Sequence, residues 1–153
     1  GYLAGSGRIT SLGATGIVET TYRMAFRDTN TNLPNADLQS SQRTMTAIVR
    51  PAATLTRDIV ALRAQYGWWD RTTNTVSFSS STPAGALSEE LAAVRIGIIV
   101  RAGQVDRSYT APETISLFAD NNPITVTLGN TERNYRYRTF ETVVPLRNTI
   151  WNR

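Results

Sequence analysis

The stretch Leu91-Ala-Ala-Val-Arg-Ile-Gly-Ile-Ile-Val-Arg101 carries the clearest strand signal in this sequence. Apolar side chains recur there at every second position, which is the spacing of one face of a β-strand. The pattern predicts that this row faces the core and that the intervening row, with Arg95 and Gly97, faces away. An aspartate at Ile98 is therefore expected to unfold the domain, because a buried unpaired carboxylate is strongly unfavourable. The predicted core row consists of Val94, Ile96, Ile98 and Val100.

Alternation of the same kind extends toward the N-terminus. Residues 16–26 predict a half-buried strand, residues 27–37 a long polar loop, and residues 44–50 a short strand that Pro51 ends. Residues 55–67 fit a helical stripe and a strand face equally well by periodicity. Residues 1–14 are rich in glycine and serine and predict an irregular arm, so the division is an arm followed by a single domain over 15–153.

The C-terminal third predicts further short strands separated by turns. One strand is expected near Val76, and a pair of strands over 115–117 and 124–128 flanks the turn at 120–123. The chain then closes with Tyr135-Arg-Tyr-Arg-Thr-Phe-Glu-Thr-Val-Val-Pro-Leu-Arg-Asn148, a long strand-like run. Seven or eight such strands predict a mainly β fold, an antiparallel β-sheet globular domain with only short helical pieces.

Three segments in this order resemble PilW-type minor pilins of bacterial type IV pili: Ile59 to Gly67, Leu91 to Arg101, and Arg136 to Asn148. The resemblance covers roughly residues 55–150, whereas residues 1–50 match poorly. It favours the strand interpretation of residues 55–67. It also implies a structural or initiating role in a surface fibre, with other minor and major pilins as partners.

A PilW-like pilin is also expected to carry a short basic leader and a long apolar helix, which would make the complete protein α+β. No run here approaches the roughly 18 apolar residues of a membrane span. The chain is accordingly expected to be a soluble fragment, a processed product, or one half of a split pilin. In the split case a separate helical pilin chain would bind in trans, near residues 16–26 and the closing strand.

Composition argues against most enzymes. The chain has no histidine and no cysteine, so it lacks thiolate nucleophiles, histidine bases and the commonest zinc ligands. The adjacent Glu89 and Glu90 fit the start of a helical turn better than a catalytic dyad, because neighbouring residues do not converge on one point. We expect no enzymatic activity, no cofactor and no small-molecule substrate.

A polar loop contains the one weak metal signal. Asp28, Asn30 and Asn32 have the alternate spacing that opens a calcium loop. Leu33 and Pro34 stand where a glycine turn would follow, and Gln39 replaces the closing glutamate. A polar hairpin loop is the preferred interpretation, and calcium binding the alternative.

Aromatic and arginine residues supply the candidate interaction sites, which are Trp68, Trp69, Arg136, Arg138 and Trp151. At least one of the adjacent tryptophans must be partly exposed, and tryptophan is frequent in interface hot spots. The run 133–138 mixes cations with aromatics, as single-stranded nucleic-acid sites do, although one packed and one solvated strand face gives the same pattern. Trp151 could close an apolar latch or contact a partner.

The function expected from these observations is a minor pilin that primes assembly or sits at the fibre tip through protein–protein contacts. It would act at the cell surface after assembly from the inner membrane and periplasm. The alternatives are a type II secretion minor pseudopilin of the J type and a secreted β-rich binding domain for carbohydrate or nucleic acid.

Overall fold

Nine β-strands make up nearly all of the regular structure in the computed structural model, which describes residues 6–13, 16–28, 35–44, 47–86 and 90–146. A 3₁₀ turn over Glu132–Asn134 precedes the last strand. The strands are β1 (Ser6–Gly13), β2 (Gly16–Asp28), β3 (Asn35–Thr44), β4 (Ile48–Asp70), β5 (Thr75–Ser79), β6 (Leu91–Arg101), β7 (Thr114–Leu117), β8 (Ile124–Thr127) and β9 (Tyr137–Pro145).

A seven-stranded antiparallel sheet is the centre of the molecule. Its strand order is β1-β2-β3-β4-β6-β9, and β5 pairs with the distal part of β4. β7 and β8 form a separate antiparallel hairpin. The predicted mainly β, antiparallel fold is confirmed, as are the paired strands around the turn at 120–123 and the closing strand.

Strand β4 is 23 residues long and connects the two halves of the sheet. Its first part pairs with β3 and its second part with β6, and Ile59 pairs with both. Asp58 has a positive φ of 59° at this junction, where the β3–β4 register shifts between Thr56 and Ile59 and the β4–β6 register between Ile59 and Ala61. Such a bulge bends a strand, so the two parts of β4 can pair with two different neighbouring strands.

Three local predictions were wrong. Residues 6–13 are not irregular, because they form β1 and pair with β2. The predicted loop over 27–37 ends earlier, since β3 begins at Asn35 despite its polar sequence. Pro51 does not end a strand. The β3–β4 register shifts between the pairs Gln42↔Arg50 and Ser40↔Ala53, so Pro51 lies in a bulge where no ladder hydrogen bond is required of it.

One face of the sheet is covered by the β7–β8 hairpin and the loops around it. The core between them contains Ile99 from β6 and Leu117 and Phe118 from the hairpin, all almost completely buried. Gly97 permits this close approach: a Cβ there would lie 2.9 Å from the Phe118 ring and 3.1 Å from Leu117. A side chain at this position would force the two layers apart.

The predicted core row of β6 was therefore assigned to the wrong face. The hairpin covers the row of Ala93, Arg95, Gly97 and Ile99, and all four are buried. The predicted row of Val94, Ile96, Ile98 and Val100 is only half-buried. The pattern misled because the branched apolar residues lie on the less buried side, whereas the core side accommodates a glycine and an arginine.

A second, smaller cluster lies at the other end of this less buried side. Met24, Ala36, Leu38 and Ile59 are buried there, and Ile98 and Val100 pack against them. β2 and β3 therefore contribute apolar contacts to one end of the half-buried row.

No helix in the described part of the chain combines the length and apolar character needed to cross a membrane.

Candidate interaction surface

The side of the sheet opposite the hairpin presents an apolar surface that we call the open face. Cross-strand pairing aligns its side chains in three rows, because residues directly opposite one another in an antiparallel sheet point to the same side. The rows are Leu62–Ile98–Phe140, Ala64–Ile96–Thr142 and Tyr66–Val94–Val144. They run across β4, β6 and β9.

The open face is unusual because several of its apolar side chains are strongly exposed to solvent. Phe140 is 57% exposed and Val144 44% exposed, while the β6 members of the rows are half-buried, and Ile98 packs against the second cluster. Among the described residues, both the second sheet and the 3₁₀ turn lie on the opposite side. Contiguous apolar surface of this kind marks interaction sites in soluble proteins.

Trp68 borders the open face, and its indole N–H group lacks a hydrogen-bond acceptor among the described residues. The Nε1–H group is buried and has no hydrogen-bond partner within the described part of the chain. Its ring lies 6.4 Å from that of Tyr66, at a tilted angle. A buried donor without an acceptor is unfavourable.

Trp69 points to the other side of β4, as strand alternation requires. Its Nε1 donates to Asn74 Oδ1 at 3.1 Å, and Arg71 lies 5.9 Å from the ring centroid. The prediction that at least one of the two tryptophans is partly exposed is confirmed, since both are. Trp68 and Trp69 do not form one site, however, because they belong to opposite faces.

The two arginines predicted as interaction sites, Arg136 and Arg138, lie in different surroundings. Arg136 is held by Asp106, with Nη2 and Oδ2 2.8 Å apart, and its guanidinium lies 4.7 Å from the centroid of Tyr109. The Ser108 hydroxyl and then Arg136 lower the pKa of Asp106. Arg138 is exposed on the open face, opposite Val100. Arg136 therefore fixes a loop, and Arg138 is the one of the two that borders the apolar rows.

The aromatic rings near 133–138 are already occupied by contacts within the protein. The guanidinium of Arg101 lies 4.4 Å from the centroid of Tyr135. The Tyr137 hydroxyl donates to the carbonyl of Glu132 at 2.8 Å, and burial raises the pKa of Tyr137 to about 12. Arg133 donates to the carbonyl of Ala111. These contacts favour the structural interpretation of the run over base stacking.

A buried arginine is the feature that the sequence reasoning missed. Arg95 is 3% exposed and lies between two aromatic rings, 4.6 Å from the centroid of Phe78 and 4.4 Å from that of Phe118. Its Nε donates to Gln65 Oε1 at 2.8 Å, its Nη1 to Asp120 at 3.0 Å, and its Nη2 to the carbonyl of Asn121. Gly97, a glycine two residues away inside a strong strand, was the available signal that this side is closely packed.

These contacts give Arg95 a structural role. Gln65 is also buried, and its Nε2 donates to the carbonyl of Asn122, so the two side chains together hold the turn at 120–122 against the sheet. Beside this turn is a polar groove with a volume of about 340 Å³, lined by Gln65, Ser79, Ser80, Ser81, Asn122, Pro123 and Ile124.

Most of the predicted calcium loop lies outside the described part of the chain. Asn30 and Asn32 lie outside the described residues, as do Glu89 and Trp151. The described ranges contain no group of three acidic side chains that could hold a metal ion.

Comparison with protein-family models gives a match to most of the chain. Residues 23–148 match the model of the type IV pilus-assembly protein W, PilW. This chain belongs to the PilW family. The match begins well before residue 55, so the family likeness includes the second half of β2 and all of β3, which the resemblance found in the sequence did not reach.

Membership of the PilW family associates the chain with type IV pilus assembly and with the pilus at the cell surface. Its partners are accordingly among the proteins of that system. Neither the curated proteins nor the solved structures gave a match.

Proposed function

We propose that this chain is the globular domain of a PilW-type minor pilin, which primes assembly or sits at the fibre tip through protein–protein contacts. The observation that carries the proposal is the open face, a three-strand apolar surface in a protein of the pilus-assembly family. Other pilins are its partners. The absence of histidine and cysteine supports a role without catalysis.

The occupant of the open face is an apolar α-helix of a pilin. Strands about 4.8 Å apart make β4, β6 and β9 a strip about 10 Å wide, comparable with a helix about 10 Å in diameter. None of the nine residues in the three rows is charged, and Arg138 borders them, so an apolar helix over the rows would be accommodated with little loss of charge hydration. Burying Phe140 and Val144 would supply favourable free energy.

The central test places a charge in the middle of the open face without disturbing the core. Ala64 is exposed and lies between Leu62 and Tyr66 on β4. Ala64→Arg should leave the melting temperature nearly unchanged and strongly reduce the amount of this protein in sheared fibres. Ala53→Arg is the matched control, since Ala53 is exposed on the same strand and lies outside the open face.

Two results would overturn the proposal. One is normal incorporation of the Ala64→Arg variant into fibres. The other is failure to detect the wild-type chain in fibres while pilus formation is unaffected by its deletion. Mass spectrometry of the fibre fraction also identifies the source of the helix: peptides extending upstream of Gly1 into an apolar segment indicate the same precursor, and a co-purifying short helical pilin indicates a separate chain.

A further inference from the structure

Strand β9 forms a free edge of the large sheet. It pairs with β6 on one side, and within the described ranges no strand pairs with its other side. The strand is nine residues long, and eight of the nine are exposed. Within the described ranges, its outer backbone edge is therefore available to another strand.

The hydrogen-bond phase shows which backbone groups point outward. Ala102 N donates to Arg136 O at 2.8 Å, and Leu146 N donates to Ala92 O at 2.8 Å. Between these two bonds the β6–β9 register runs without a shift. Because bonded and non-bonded pairs alternate in an antiparallel ladder, the even-numbered residues of β9 bond to β6. The N–H and C=O groups of Thr139, Glu141 and Val143 consequently face away from the sheet.

Natural sheet edges are usually protected against pairing, and β9 carries few of the usual devices. Charged side chains (lysine above all), prolines, bulges and short length are the common forms of protection, and β9 has two charged residues, Arg138 and Glu141. The chain has no lysine, the register of β9 with β6 is unbroken, and the only proline of the strand is its last residue, Pro145. Three apolar side chains along the strand are also strongly exposed: Phe140, Val143 and Val144.

We propose that two copies of this chain pair through β9, antiparallel, about a two-fold axis at Thr142, so that the two sheets become continuous. This pairing satisfies the outward groups of Glu141 and Val143 with those of the second copy. Its hydrogen bonds use the backbone edge of the sheet rather than the surface that the helix would cover, although the side chains of Phe140 and Val144 contribute to both.

Side-chain complementarity supports a second copy as the occupant. With Thr142 at the axis, Phe140 of each copy lies opposite Val144 of the other, in non-hydrogen-bonded pairs where side chains are closest. Aromatic and β-branched residues form favourable cross-strand pairs. The same register sets Glu141 opposite Val143, so no like charges meet.

Neighbouring registers are less suitable. An axis at Glu141 sets the two glutamates directly opposite one another, which is destabilising. An axis at Phe140 sets Val144 opposite Arg136. Of the three centres compared, Thr142 is the one that sets both Phe140 and Val144 opposite apolar or β-branched residues.

Single cysteines test this register directly, because the chain has none of its own. In Thr142→Cys the two thiols would lie on strands whose Cα atoms are about 4.5 Å apart, within disulfide range. Thr139→Cys is the matched control on the same strand, since its two copies would be offset by about 20 Å. Under mild oxidation we expect rapid covalent dimer formation with Thr142→Cys and slow formation with Thr139→Cys.

A backbone variant separates pairing from side-chain effects. Val143→Pro removes an outward N–H from each copy and leaves the bonds to β6 in place. It should weaken dimer formation about tenfold or more in sedimentation and in Thr142→Cys cross-linking, with the melting temperature of the monomer retained. Val143→Lys, a charge on the same edge, is the second variant and should act in the same direction.

The proposal is overturned if the full chain sediments as a monomer at every accessible concentration, or if the two cysteine variants cross-link at equal rates. It is also overturned if a folded Val143→Pro protein dimerises normally. Cross-linking of Thr142→Cys only to a different fibre subunit would assign the edge to that subunit instead. If Val143→Pro weakens dimerisation as expected while Ala64→Arg is incorporated normally into fibres, the helix proposal is contradicted and the edge proposal stands.

Discussion

Removing the Arg95 guanidinium should cost more stability than removing any exposed arginine. Arg95→Ala deletes hydrogen bonds from a charged donor to Gln65, Asp120 and the carbonyl of Asn121. It also leaves Gln65 Oε1 buried without this donor and empties the space between the rings of Phe78 and Phe118.

The magnitude follows from those losses. Bonds to charged groups contribute about 1.5–3 kcal/mol each, and a buried acceptor left unsatisfied costs about 1–3 kcal/mol. The Asp120 side chain is 76% exposed, so that pair adds less than about 1 kcal/mol. Contributions within one network are not additive, and we expect a total loss of about 3–5 kcal/mol, a large part of a typical 5–15 kcal/mol.

The assay is urea denaturation followed by tryptophan fluorescence. Arg57→Ala is the control, because Arg57 is exposed and should change the free energy of unfolding by less than about 0.5 kcal/mol. Arg95→Met combined with Gln65→Leu should recover much of the loss of Arg95→Met alone, since the orphaned acceptor disappears. A loss below about 1 kcal/mol for Arg95→Ala, with an unchanged m-value, would refute this account.

Three further predictions concern packing and ionisation. Ile99→Asp should prevent folding in a circular-dichroism melt, whereas Ile98→Asp, on the half-buried row, should lower the melting temperature less; equal effects would contradict the face assignment. Gly97→Ala should cost about 1–3 kcal/mol because its Cβ would press on a buried phenylalanine, while Gly103→Ala, with 3.6 Å to its nearest atom, should be tolerated in the same urea assay. The raised pKa of Tyr137 means that its contribution to stability is fully present below pH 10 and is lost as pH rises through about 12, and Tyr137→Phe should remove the tyrosinate absorbance step near pH 12; an unchanged step near pH 12 in that variant would refute it.

The sequence by itself determined the class of fold. Alternation in residues 91–101 and in the closing run predicts strands whatever they pack against, because side chains alternate across any strand. The turn residues at 120–123, with apolar alternation on both sides, likewise predict the β7–β8 hairpin from local sequence. Family likeness was readable from the same segments, and the match over 23–148 confirms it.

Tertiary structure decided which side of β6 is the core. Periodicity shows that a strand has two faces but does not identify the one that is covered, since that depends on where a distant hairpin packs. Gly97 and Arg95 made the covered side possible, one by close approach and the other by satisfying its charge between Phe78, Phe118 and the turn. The sequence pattern did not predict strand β3 either. Its polar residues form a strand only because β2 and β4 supply hydrogen-bond partners on both sides. The open face and the β9 edge follow from the same cause: a surface is apolar by sequence, but it is left uncovered only by the arrangement of strands around it.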